Sequence, residues 1–191
     1  MNHFTFLSLI IMSLFLTTGN MSAQNITPET YFFKDDGVIP NNKLPLLVYH
    51  NAFSETGNRA AEWLEKTFKA NNWYNGWRWG VYPFHHYHSN TAEVLGVFSG
   101  TAKLLLGGEK GKVFDIKPGD IIIIPPGVGH KCLSHSDDFT VVGAYPDGNS
   151  PDQLRGEKSD RPRADENIAR VPVPKSDPLL GTKGGLVEVW K

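Results

Sequence analysis

Apolar positions along the chain fall into blocks of different period. The first, Phe4 to Leu16 (FTFLSLIIMSLFL), carries no charge over about thirteen residues and gives way to the polar TTGNMSAQ. A block of that length is short for a hydrocarbon layer of about 30 Å and fits the core of a signal peptide. Ser22 and Ala23 offer a cleavage point before Gln24, so residues 1–23 are expected to be removed and the mature chain exported to the periplasm or beyond, with no membrane contact after cleavage. The segment before the block, Met1 to His3, adds no Lys or Arg, and no cysteine follows it that could carry a lipid.

Residues 31–49 (YFFKDDGVIPNNKLPLLVY) mix short apolar runs with Asp-Gly and Pro-Asn-Asn turn signals and read as extended chain and turns. From Thr56 to Ala70 the period becomes helical, with Trp63, Leu64, Thr67 and Phe68 on one stripe. Glu62 with Lys66 and Glu65 with Lys69 make favourable i,i+4 pairs on the wet side, and Asn71-Asn72 supplies a stop. Short runs then recur, separated by Gly, Pro and Asn, and predict strands near 78–88, 92–98, 101–106, 112–116, 120–125, 129–134 and 138–145. That spacing predicts an antiparallel sandwich or barrel. Ile121–Ile124 lacks polar alternation, so both its faces should be covered. After Tyr145 the text turns polar and rich in Pro and Gly, predicting an irregular arm that wraps the barrel with Trp190 docked.

The expected organisation is therefore 1–23 leader, 24–76 N-terminal arm and helix, 77–146 barrel core and 147–191 C-terminal arm. A chain of 191 residues has material for one well-buried domain. Nineteen basic against twenty acidic residues give a net charge of −1, so no broad field points to nucleic acid or an anionic surface. The single Cys132 excludes an internal disulfide and a four-cysteine zinc module.

The chemistry lies in two stretches. In GVYPFHHYHSNTAEVLGVFSG, His86 and His88 are two apart and in a strand share a face, while Glu93 opens the next strand. In GDIIIIPPGVGH, a buried strand ends in a Pro-Pro-Gly turn before His130. A lone strand histidine is ordinarily a satisfied polar residue. Three histidines and a glutamate brought together form a mixed N/O donor set suited to Mn, Fe, Co, Ni, Cu or Zn. His85 has the opposite parity and should face away; Tyr82 and Phe84 share the parity of His86 and either line a cavity or pack as core. Cys132 reads as a small buried hydrophobe, His135 with Asp137 and Asp138 as a solvated turn, and the tryptophans at 73, 77 and 79 as packing against the helix and tail.

These stretches resemble the paired motifs of the cupin superfamily. The first runs Gly80, five residues, His86-x-His88, four residues, Glu93, six residues, Gly100; the second runs Gly119, five residues, Pro125-x-Gly127, two residues, His130. Ser134 stands where the second motif commonly has Asn. DDGVIPNNKLPLLVY, GAYPDG and the DPLLGTKGG ending extend the likeness toward the YjlB-like group of bacterial cupins, over nearly all of the mature chain. The resemblance implies a small all-β jelly-roll barrel holding one divalent transition metal ion on His86, His88, Glu93 and His130. It implies a small-molecule ligand and two readings of function. One is a metal-dependent enzyme of dioxygenase, isomerase or lyase type acting on an oxygen-rich molecule; the other is a metal- or ligand-binding module without turnover. Tyr82, Cys132 and Tyr145 are the nearby candidates for a proton carrier, and no residue stands out as catalytic. A homodimer is expected, with Phe32, Phe33, Leu46 and Leu47 covering a neighbour.

Overall fold

The isoleucine run forms β7 (Ile121–Ile124), and its burial on both faces organises the molecule. The computed structural model describes residues 26–191, so the leader and its cleavage point lie outside the described residues. Ahead of β7 come β1 (Glu29–Phe33), β2 (Asn42–Tyr49), α1 (Gly57–Ala70), β3 (Trp73–Trp79), β4 (Glu93–Ser99), β5 (Ala102–Leu106) and β6 (Lys112–Ile116). After it come β8 (His130–His135), β9 (Thr140–Pro146), a 3₁₀ turn at Lys158–Asp160, α2 (Arg163–Arg170) and α3 (Leu186–Val189). A six-stranded sheet in the order β1-β2-β7-β4-β9-β3 faces a three-stranded sheet in the order β6-β5-β8, and every pairing is antiparallel. The result is an all-β jelly roll.

Strand parity divides the isoleucines between two cores. Ile122 and Ile124 join Leu46, Val48, Leu95, Val97 and Val141 against Leu104, Leu106, Phe114 and Ile116 of the small sheet. Ile121 and Ile123 join Val94 and Val142 on the outer face, where Ala60, Ala61, Leu64 and Phe68 of α1 cover them with Leu186 and Trp190 from the C-terminus. The helix comes close because Gly96 presents no side chain; a Cβ there would lie 2.7 Å from Leu64 Cδ2. Trp190 is buried and its Nε1 donates to the Pro45 carbonyl at 2.8 Å, so the tail docks as expected.

Several expectations change. Residues 29–49 hold two strands of the main sheet, so the sheet does not begin at residue 77. Leu46 and Leu47 are core residues of β2 and are closed to any neighbouring chain. The strand expected over 78–88 ends at Trp79, and the following stretch touches β8 only at separate points. Tyr82 O accepts from Cys132 N at 2.8 Å, and His86 and His130 exchange backbone bonds at 3.2 and 2.9 Å. Three residues, 83–85, thus stand opposite Lys131 alone between these contacts, a bulge containing Pro83, which has no N–H to offer a ladder. Glu65 turns from Lys69 to Arg78 of β3, in a two-pronged ion pair at 2.7 Å. The tail is less irregular than its composition suggests. Asp165 and Glu166 in the first turn and Arg170 in the last suit the dipole of α2.

Candidate metal centre

β4 sets one wall of the site. Glu93 has the parity of Leu95 and Val97, so its carboxylate points between the sheets, where it is buried. His130 opens β8 on the facing sheet and is 1% exposed. The bridge between His86 and His130 hangs the 80–88 segment on that strand end, and the Gly127 N–H to His88 carbonyl bond at 2.8 Å fixes its far end. Ligand atoms of His86, His88 and His130 consequently lie within 4.8 Å of one another. Glu93 joins through Oε2, 3.2 Å from His130 Nε2 and 3.5 Å from His88 Nε2. All four residues singled out by spacing come together.

The tautomer of each ring follows from its other nitrogen. Nδ1 of His130 faces the Val128 carbonyl at 3.1 Å, Nδ1 of His86 faces the Phe84 carbonyl at 3.4 Å, and Nδ1 of His88 faces the Asp152 carbonyl. A carbonyl only accepts, so the proton of each neutral imidazole sits on Nδ1 and Nε2 is left as a bare lone pair. Nε2 of His88 and of His130 are buried without a hydrogen-bond partner among the described residues, although Glu93 lies close. Lone pairs and a carboxylate oxygen at that separation repel unless a cation or a proton lies between them. The donor set therefore fits a divalent ion, and the outward carbonyls are the arrangement that orients metal-binding histidines elsewhere.

Charges around the site agree. Burial, reinforced by the His130 and His88 rings, pushes the pKa of His86 down to about 2. Burial also opposes a charged His88, but Glu93 and the Asp152 carbonyl outweigh it and raise its pKa above the ordinary value. Burial would lift Glu93, yet His88 and His130 hold its carboxyl well below the usual range. The other oxygen of Glu93, Oε1, accepts from Tyr145 Oη at 2.9 Å, and Tyr145 Oη in turn accepts from Trp77 Nε1 at 3.0 Å. Burial and Glu93 raise the Tyr145 phenol above its ordinary value.

The four residues line one end of a cavity of about 610 Å³. Trp77, Trp79, Tyr82, Phe139 and Tyr145 line much of the rest, and the polar Gln153 and His135 also reach it, the latter expected only as part of a solvated turn. Trp77 and Trp79 were expected to pack against the helix and tail; of the three tryptophans only Trp73 joins the helix cluster, while Trp77 and Trp79 line the cavity together with Pro151, Asp152 and Gln153 of the tail. Asp152, also unanticipated, comes from the tail. Its carboxylate takes the Ser89 N–H at 2.6 Å and the Ser89 hydroxyl, while its carbonyl faces His88. Nothing in the local sequence marks it, because its partners lie more than sixty residues away. His85 points elsewhere, with Nε2 3.4 Å from Glu109, and Cys132 sits in the inner core with its thiol toward the Ser134 carbonyl.

Comparison with known proteins shows the family. Residues 80–142 match the family model described as a cupin domain. The uncharacterized protein YjlB of Bacillus subtilis (strain 168) is 45% identical over 163 residues, covering 85% of this chain and 96% of that one. Among solved structures, a double-stranded beta-helix protein of Klebsiella pneumoniae subsp. pneumoniae is 20% identical over 69% of this chain and 87% of its own, at a TM-score of 0.33. The acireductone dioxygenase of Bacillus anthracis with cadmium in its active centre is 19% identical over 48% of this chain and 63% of its own, also at 0.33. Likeness at that level says nothing of ligand or reaction.

Proposed function

The chain belongs to the cupin family, in the YjlB-like group, and on that premise we propose that it binds one divalent transition metal ion through His86, His88, Glu93 and His130. With that ion it acts as an enzyme on a small molecule that ligates through oxygen. The observation that carries this reading is the pair of bare, buried Nε2 atoms of His88 and His130 facing a carboxylate at the end of an open cavity. The ion, one of Mn, Fe, Co, Ni or Zn, would supply Lewis acidity to a carbonyl or a bound water, or a site for O₂. A six-coordinate ion with four protein donors keeps two positions for ligand, whereas a tetrahedral zinc keeps none. The chain's own part is to orient three rings through backbone carbonyls, to hold Glu93 ionised, and to wall the site with aromatic surface.

A second reading, binding without turnover, is favoured by the state of two of the cavity's protic groups. Tyr145 both donates to Glu93 and accepts from Trp77, and Asp152 is engaged by Ser89, so neither is free to move a substrate proton, which leaves the Tyr82 hydroxyl as the candidate carrier for the enzyme reading. We further propose that the mature chain is exported, from its short apolar leader, and that it forms a homodimer. Of the four residues expected at that interface, Phe32 on the edge strand β1 is 70% exposed and available.

Metal analysis of protein recovered from its own host, followed by oxygen uptake and product formation with catechols, thiols and keto acids, tests the reading. A stoichiometric transition metal and turnover that disappears on chelation support the enzyme. Stoichiometric metal without turnover of any of these selects the binding module, and failure to take up metal after reconstitution ends both.

A further inference from the structure

The cavity is chemically lopsided. Its metal-type donors gather at one end, and among the described residues the rest of the wall is mostly aromatic, with His135, Gln153 and the Tyr82 hydroxyl as polar groups along it. The two other charged side chains along it are engaged: Asp152 by Ser89, and Arg78 by Glu65 of α1. Trp77's indole N–H is spent on Tyr145. Flat apolar surface remains. Trp77 and Trp79 share one face of β3, Tyr82 stacks on Phe84 with ring centroids 4.9 Å apart, and Phe139 closes the inner side. Trp77 reaches in because Gly143 lies opposite it; a Cβ there would meet the indole at 2.2 Å. Trp79, beside it at the mouth, is 74% exposed. A large indole left open beside a cavity of small-molecule size is surface that a ligand gains by covering.

Resting on the metal reading above, we infer that the ligand is a flat, largely apolar molecule with a chelating pair of oxygens at one edge. The oxygens point to the histidines, and the body lies along Trp77 and Trp79. Small dicarboxylates, polyols and phosphate esters would leave the indole faces of Trp77 and Trp79 uncovered, and Arg78, which could answer a second anionic group, is already paired with Glu65.

The test uses full mature protein reconstituted with Mn(II), after metal uptake has been measured, with anaerobic calorimetry as the readout. The probes are a naphthalenediol with adjacent hydroxyls, oxalate as a chelator without a body, and a naphthol as a body without a chelating pair. The naphthalenediol should bind at least tenfold more tightly than either of the others. Trp79→Ala should weaken it by about tenfold, the worth of one stacked ring, while Trp79→Phe restores most of the loss and oxalate binding stays unchanged. Oxalate binding as tightly as the naphthalenediol, or a Trp79→Ala variant that binds it normally, would overturn the inference and leave the metal reading standing. Absence of metal uptake would overturn both.

Discussion

Tyr145 and Glu93 sit on the inner faces of adjacent strands, and the phenol donates to Oε1 at 2.9 Å while Oε2 turns to His130 at 3.2 Å. One carboxylate is thus shared between a hydrogen-bond donor and the histidine cluster. The donor limits how Glu93 can rotate, which makes Tyr145 a positioning residue for the metal end.

Tyr145→Phe should keep the fold and weaken metal binding by about 10–100-fold, the usual effect of removing an outer partner of a ligand. Competition against a chelator of known affinity measures it. An affinity equal to that of the parent protein would show that Glu93 needs no orienting hydroxyl.

Metal should stabilise the fold by mass action. At about a hundredfold excess over the dissociation constant the gain is roughly 2.7 kcal/mol, so chelation should lower the melting point by about 5–10 °C. His88→Ala and His130→Ala should lose the increment, Glu93→Gln should reduce it, and His85→Ala and Cys132→Ala should retain it. Superimposable melting curves for loaded, chelated and His88→Ala protein would refute the metal reading.

The pH dependence has two parts of opposite sign. His86 stays neutral in the fold to about 2, whereas the unfolded ring takes a proton near pH 6.5, so stability falls as pH drops below about 6.5. His88 has a raised pKa; its proton stabilises the metal-free fold below about 6.5, and that contribution disappears as pH rises through the folded value. Metal must displace the same proton. Metal affinity should therefore fall by up to about tenfold per pH unit on acidification, with proton release visible by calorimetry in buffers of different ionisation enthalpy. A flat affinity between about pH 5 and 7 contradicts this.

Asp152→Ala should cost about 1–3 kcal/mol by leaving the buried Ser89 N–H without its acceptor. It should also loosen the carbonyl that faces His88 and weaken metal binding by about tenfold. Denaturant unfolding and chelator competition read the two effects separately. If neither changes, the tail does not brace the site.

Export predicts a mature N-terminus at or near Gln24 in the soluble fraction of the cell envelope. N-terminal sequencing that recovers Met1 from a membrane pellet would reverse this expectation.

The sequence by itself determined the features that depend on local spacing. Short runs cut by turn residues located six of the seven central strands to within about two residues. The unalternating isoleucines announced a strand covered twice, and the positions of His86, His88, Glu93 and His130 marked the cluster. Turns and strand starts fix where such side chains emerge, so spacing was enough. Other features depended on pairings between distant segments. Counted along an unbroken strand, Trp73, Trp77 and Trp79 share a face. In the fold, Asn75 and Gly76 stand opposite the single residue Ala144, and Asn75 takes a φ of 55°. That extra residue reverses the parity, sending Trp73 to the helix and the other two to the cavity. Asp152 reaches His88, Glu65 prefers Arg78 to its helical neighbour, and β1 and β2 become sheet instead of arm for a related reason. Each outcome was decided by which distant partner happened to face it, and the chain carries that information only once β9, β7 and the tail are in place.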